Sequence, residues 1–223
     1  TYEYDKLDRL VKTTDAEGNT TTYTYDANSN QTSVTDGRGN TATSTYDALN
    51  RMVGQTDESG EIFKYVYDAD GKIIKTINER GAETCYEYDK NGNIVKLVDA
   101  EGNSTDLTYD AMDRIATITN GRGAVTSYEY TPTGMIAKET DAGGNITTYT
   151  YDKLDRLIAE DASGLVTTYE YDALSNVVKT TSPEGASDTL TYDKNGNIVG
   201  ATDANGNKTS YVLDGNGNIV QTI

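Results

Sequence analysis

Apolar and polar residues alternate along this chain in short runs that never settle into a helical period. Residues 20–25 (TTTYTY) and 146–151 (ITTYTY) alternate with a period of two. Residues 10–14 (LVKTT), 94–98 (IVKLV) and 198–202 (IVGAT) are apolar-led runs of similar length. Runs of five or six residues rich in Thr, Tyr, Val and Ile, bounded by Asp, Asn and Gly, predict strands. No window sustains a 3.6-residue spacing, and Gly recurs too often for helices. The predicted class is all-β.

The runs recur at a fixed period. Tyr4, Tyr25, Tyr46, Tyr67, Tyr88, Tyr109, Tyr130 and Tyr151 are spaced by 21 residues, and Tyr171, Tyr192 and Leu213 continue the series. An acid follows as Asp5, Asp26, Asp47, Asp68, Asp89, Asp110, Asp152, Asp172, Asp193 and Asp214, with Thr131 the one substitution. A second marker, usually Asp, stands eleven residues after each Tyr (ten after Tyr151, at Asp161), with Gly three further on: Gly18, Gly39, Gly60, Gly81, Gly102, Gly123, Gly144, Gly164, Gly185 and Gly206. The single 20-residue step, from Tyr151 to Tyr171, reads as a residue missing between Arg156 and Asp161. Residues 1–223 are thus one continuous array of about ten and a half repeats, each with two turns and two strands. Both ends fall inside the pattern, so the chain reads as a segment of a longer protein.

The turn chemistry follows from the residues. Asp at the first position accepts hydrogen bonds from amides of its own turn, and Gly or Asn near the end supplies a left-handed residue. This predicts a type I turn followed by a bulge, common in hairpin loops. Gly71, Gly92, Gly134, Gly196 and Gly217 fill the left-handed slot of the first turn, and Asp8, Asn50, Asp113 and Asp155 fill it elsewhere. Hairpins joined end to end predict a continuous antiparallel ribbon. Tyr pairs two apart, such as Tyr23 and Tyr25, share one strand face, which predicts ladders of phenol rings across neighbouring hairpins.

Composition narrows the picture. The 223 residues are only 35% apolar, with 18 Tyr, one Phe and no Trp. Too little apolar surface is present for a thick dry core, whereas Thr and Tyr suit a thin, wetted sheet. A net charge of −17 speaks against nucleic acid, whose phosphates require clustered cations, and against an anionic membrane surface. No stretch is apolar enough for a membrane helix. The lone Cys85 excludes an intrachain disulfide.

The unit, as in Tyr4–Thr24 and Tyr88–Thr108, resembles the YD repeat of the RHS family, and the match runs over essentially the whole chain. The family comprises bacterial Rhs toxins, the C component of ABC toxin complexes, wall-associated proteins and teneurins. The resemblance implies a ribbon coiled into a hollow β-superhelix or shell, extracellular or at the cell surface. It also implies partners that are further YD repeats or other copies of the chain, and an enclosed toxin domain in some members. The self-cleaving segment of the toxin-type members carries a Pro-rich Asp-Pro-x-Gly stretch. Pro132 and Pro183 sit in no such motif, so no self-cleavage is carried over.

Nothing catalytic stands out. With no His and one Cys, nucleophile–base pairs cannot be assembled. The carboxylates recur as turn residues without a singular site, so no catalytic or cofactor residue is named. Turns such as 89–93, 193–197 and 214–218 resemble half of a Ca²⁺ loop. They lack the Gly and bidentate Glu at the required positions, which leaves weak Ca²⁺ binding at acidic turns as the only cofactor the residues allow. The expected function is structural, part of an RHS-type shell or a tubular filament. The alternative is an adhesin or glycan-binding module that uses exposed Tyr and acidic turns.

Overall fold

A computed structural model describes every residue except Glu61. It divides into two compact units, residues 1–107 and 108–223, each considered by itself. The first unit contains β1 (Tyr2–Tyr4), β2 (Leu10–Thr14), β3 (Thr20–Tyr25), β4 (Gln31–Thr35), β5 (Thr41–Tyr46) and β6 (Met52–Thr56). It continues with β7 (Ile62–Tyr67), β8 (Ile73–Ile77), β9 (Glu83–Tyr88) and β10 (Ile94–Val98), and its boundary falls within β11 (Ser104–Tyr109). The second unit holds β12 (Ile115–Asn120), β13 (Val125–Tyr130), β14 (Ile136–Thr140), β15 (Ile146–Tyr151) and β16 (Leu157–Ala162). Then come β17 (Leu165–Tyr171), β18 (Val177–Thr181), β19 (Ser187–Tyr192), β20 (Ile198–Thr202), β21 (Lys208–Leu213) and β22 (Ile219–Thr222). The all-β reading holds, and the strands fall on the runs picked out by alternation.

Among the described residues of each unit, strands pack only against their sequence neighbours, always antiparallel. The two kinds of pairing differ. From an odd strand to the next even one, four pairs form in most hairpins, as in Thr22↔Thr35, Tyr23↔Val34, Thr24↔Ser33 and Tyr25↔Gln31, with a bulge before the Tyr; β15–β16 has five, and the terminal β1–β2 and β21–β22 have three. From even to odd three form, as in Lys12↔Thr22, Thr13↔Thr21 and Thr14↔Thr20, except at β16–β17, which has four. Neighbouring hairpins are therefore laddered near the second turn and lose that pairing towards the first. The same alternation recurs in the second unit, at β13–β14 and β14–β15.

Among the described residues no apolar side chain is buried. Each unit is a single layer of sheet. One face is more covered than the other, as β5 shows: Ala42, Ser44 and Tyr46 are half-buried while Thr41, Thr43 and Thr45 are exposed. In the absence of a core, cross-strand side-chain pairs, each contributing roughly 0.2–1 kcal/mol, carry the sheet together with its ladders and turns.

The turns take the predicted form. Gly18 N–H donates to Asp15 O at 3.3 Å and Asp15 N–H to Asn19 O at 3.0 Å. The left-handed slot of the first turn holds Asp8 (φ 58°), Asn50 (61°), Asp113 (58°) and Asp155 (57°), and also Ser29 and Ser175 at 69°. A correction concerns the short repeat. The missing residue lies in the second turn, not between Arg156 and Asp161. Strand β16 runs through Asp161 to Ala162, and Ala162 pairs directly with Leu165. The loop has contracted to Ser163 (φ 57°) and Gly164 (φ 93°), both left-handed. Two such residues match the twist of the flanking strands, so a tighter turn absorbs the deletion without shifting register.

Candidate functional site

The repeat markers converge on the edge of the sheet that carries the first turns. Asp5 organises its turn: Oδ1 accepts from Leu7 N at 2.8 Å and Arg9 N at 3.0 Å, and Oδ2 accepts from Arg9 Nε at 2.7 Å. The same guanidinium then reaches the next hairpin. Its Nη1 donates to Asp26 O at 3.0 Å, and its carbon lies 4.7 Å over the Tyr25 ring. Tyr25 in turn donates its hydroxyl to Leu10 O at 2.8 Å. That carbonyl lies beyond the last β2–β3 ladder pair, where the hairpins have lost their backbone pairing, so the phenol supplies the hydrogen bond the ladder no longer gives.

The assembly repeats. Tyr46, Tyr67, Tyr88, Tyr130, Tyr151 and Tyr192 each donate to the carbonyl fifteen residues back. Tyr171, after the deletion, reaches Leu157 O fourteen residues back at 2.7 Å. Arg51, Arg114 and Arg156 lie over Tyr67, Tyr130 and Tyr171 at 4.6, 4.3 and 4.6 Å. Lys72 does so over Tyr88 at 5.2 Å. Where the cation is absent an amide serves: Asn30 Nδ2 donates to Asp26 Oδ2 and to Asn50 Oδ1, at 2.9 and 2.8 Å.

At the marker tyrosines this geometry departs from the expected phenol ladder. Marker rings lie on alternate strands, roughly 10 Å apart at the usual spacing. Where these cations occur, the ring meets a cation rather than stacking on a phenol. The cation is the residue that sequence reasoning passed over. Its place four residues after Asp and sixteen before the next Tyr was nevertheless visible in Arg9, Arg51 and Arg114.

The second turns are self-contained. Asp15 Oδ1 accepts from Glu17 N and Asn19 N at 2.9 and 2.8 Å, and Oδ2 from Asn19 Nδ2 at 2.8 Å. Asp36, Asp99, Asp141 and Asp203 repeat this. These bonds hold turn carboxyls below the usual carboxylate range. At Asp5, Asp110 and Asp152 the side-chain bond from Arg leads. At Asp15, Asp99 and Asp141 the bond from the Asn side chain leads, and at Asp47 the Arg51 amide leads. Burial pushes the Tyr88 and Tyr151 phenols up. Among the described residues no group of three or more His, Cys, Asp or Glu is placed to hold a metal ion.

Single-layer sheets built from one repeated hairpin, in which a Tyr, an Asp and a cation or an amide join hairpin to hairpin, define a tandem hairpin-repeat protein. The Teneurin YD-shell family matches residues 54–167, and the RHS Repeat family matches residues 4–41, 26–62, 151–187 and 192–223. The chain belongs to this YD-repeat family. Among solved structures it is similar to TcdB2-TccC3-TEV, with a TM-score of 0.78 and 17% identity over 100% of this chain and 15% of that one. It is similar also to TcdB2-TccC3-Cdc42, with a TM-score of 0.79 and 16% identity over 100% and 15% of the two chains. The Photorhabdus luminescens Tc holotoxin pore gives a TM-score of 0.55 and 15% identity over 100% and 19%. At these identities the likeness is one of fold, and the chain spans about a sixth of their length. No curated protein sequence matches it.

Proposed function

We propose that this chain is a stretch of wall: a run of hairpins in an RHS-type shell or tubular filament outside the cell, with no chemistry of its own. The observation that carries this reading is that the repeat markers are consumed by the fold. The phenol of Tyr25 and both carboxylate oxygens of Asp5 are hydrogen-bonded to backbone or to the turn's own cation. The phenol proton and the carboxylate are thereby committed within the fold, and Tyr67, Tyr130 and Tyr171 repeat the arrangement beneath Arg51, Arg114 and Arg156, with an amide in place of the cation at Asn30. The same engagement weighs against an adhesin built on the marker tyrosines. Partners in this reading are further YD repeats, of the same chain or of other copies, and a toxin domain where the wall encloses one. No cofactor, nucleic acid or membrane insertion enters it.

Electron microscopy of the protein in its native preparation tests the proposal. Closed capsules of one size support a container, and continuous fibres support a filament. Dispersed particles that form neither, or turnover by the purified chain, overturn the structural role.

A further inference from the structure

The more covered face of the sheet carries a second set of tyrosines, two residues before the markers. In the first unit their cross-strand partners are uncharged: Tyr23 faces Val34, Tyr65 faces Thr76 and Tyr86 faces Leu97. Two consecutive repeats of the second unit put acids there instead, as Tyr128↔Glu139 and Tyr149↔Glu160. Both glutamates are half-buried.

Nothing in the sheet neutralises them. On the opposite face Glu129 and Glu170 are each ion-paired with the lysine directly across, Lys138 at 2.8 Å and Lys179 at 2.9 Å. Among the described residues, Glu139 and Glu160 make neither an ion pair nor a side-chain hydrogen bond. Partial withdrawal of a carboxylate from water costs free energy that a cation would offset. Both charges act on one ring: burial first, then Glu139 and Glu160, push the Tyr149 phenol up. Tyr149 lies directly across from Glu160 and diagonally from Glu139, whose own partner on that strand is Thr147. The two acids therefore sit on alternate strands and out of step along them, roughly 12 Å apart at ordinary strand spacing and rise.

We propose that Glu139, Tyr149 and Glu160 form a binding seat for a linear aliphatic polyamine. The inference is independent of the wall reading. Two separated carboxylates supply charge-assisted bonds to two ammonium groups of one extended chain. The ring between them suits what joins those groups, because its face attracts a cation and its apolar body packs against methylenes. A divalent metal ion matches the seat poorly. It gathers oxygens within a few ångströms of itself, and these carboxylates are too far apart to share one ion.

An NMR titration of the whole chain with spermidine tests the proposal, with Mg²⁺ and tetramethylammonium as comparisons. Saturable shifts centred on Glu139, Tyr149 and Glu160 are expected, without shifts at Tyr65 and Tyr86. Mg²⁺ and tetramethylammonium should bind there at least tenfold more weakly. Substituting both acids, Glu139→Gln together with Glu160→Gln, keeps the shape of the face and should abolish the shifts. Tyr149→Leu keeps both charges and should weaken binding at least threefold. Undisturbed amide shifts elsewhere in the chain establish that each variant is folded. Shifts spread over the acidic turns, retained in the doubly substituted chain, or matched by Mg²⁺ overturn the proposal and leave only diffuse attraction to a chain of net charge −17. Equal binding of tetramethylammonium overturns it too, since a single cation would then suffice, as does full affinity in Tyr149→Leu.

Discussion

The Arg9 guanidinium lies 4.7 Å over the ring of Tyr25, sixteen residues on and one hairpin away. Because Arg9 is also bound to Asp5 within its own turn, the pair joins a local motif to a non-local one. Turn, cation and ring are each weak alone, and the lattice they form supports a sheet without a core.

The cation should therefore be sensitive to shape as well as to charge. Arg51 holds Asp47 Oδ2 through Nε at 2.7 Å, donates to Asp68 O at 3.1 Å and covers Tyr67. Arg51→Ala should cost about 1–2 kcal/mol, combining a cation–π contact with charge-assisted bonds. Arg51→Lys should recover less than half of this, because an ammonium lacks the planar fork. Urea unfolding of the two variants checks the order, and equal midpoints would contradict it.

The phenolic hydroxyl can be tested separately from its ring. Tyr67 donates to Met52 O at 2.6 Å. Tyr67→Phe keeps the ring beneath Arg51 and leaves that carbonyl without its donor. The expected loss is about 0.5–1.5 kcal/mol, read as a lower urea midpoint at unchanged slope. A neutral substitution would mean that water replaces the hydroxyl freely.

Left-handed slots give a contrast in sign. A Cβ on Gly18 meets nothing within 4 Å, yet the residue sits at φ 88°. Gly18→Ala should thus cost roughly 1–2 kcal/mol through backbone conformation alone. Asp8 occupies the equivalent slot of a first turn at φ 58°, so Asp8→Gly should be close to neutral. Thermal unfolding of both variants checks the signs.

How much of this was legible beforehand follows from what carries the information. Strands and turns were readable because Tyr4, Asp5 and Gly18 recur in register, and periodicity needs no tertiary knowledge. The Arg9–Tyr25 contact was not, because its residues meet only once β2 and β3 lose their pairing near the first turn. Counting located the deletion before Asp161, since an Asp there looked like a turn opener. Only the Ala162↔Leu165 pairing shows that Asp161 belongs to the strand.

The carboxyls predict an acid limit. Asp5, Asp15, Asp99, Asp141 and Asp152 are all depressed in the folded chain. A carboxyl with a folded pKa below its unfolded value stabilises above the unfolded value, about 3.9, and loses that contribution as pH falls through the folded one. Stability to urea should hold down to about pH 5 and fall steeply below pH 4. Asp152→Asn should flatten the fall. An acid limb identical to that of the unsubstituted chain would remove these groups as its cause.

The short repeat supplies the last test, in which one residue type performs two different roles. Asp141 opens an ordinary second turn and accepts from Gly143 N, Asn145 N and Asn145 Nδ2, all at 2.8 Å. Asp161 sits on a strand and accepts from Gly164 N at 2.6 Å. Replacing Asp141 with Ala abolishes three bonds and leaves turn amides to water, whereas replacing Asp161 removes one from a turn already set by Ser163 and Gly164. The urea midpoint should therefore drop about threefold further for Asp141→Ala than for Asp161→Ala. Equal drops would mean that the contracted loop depends on its aspartate as much as the full-length one does, and that left-handed backbone alone does not hold it.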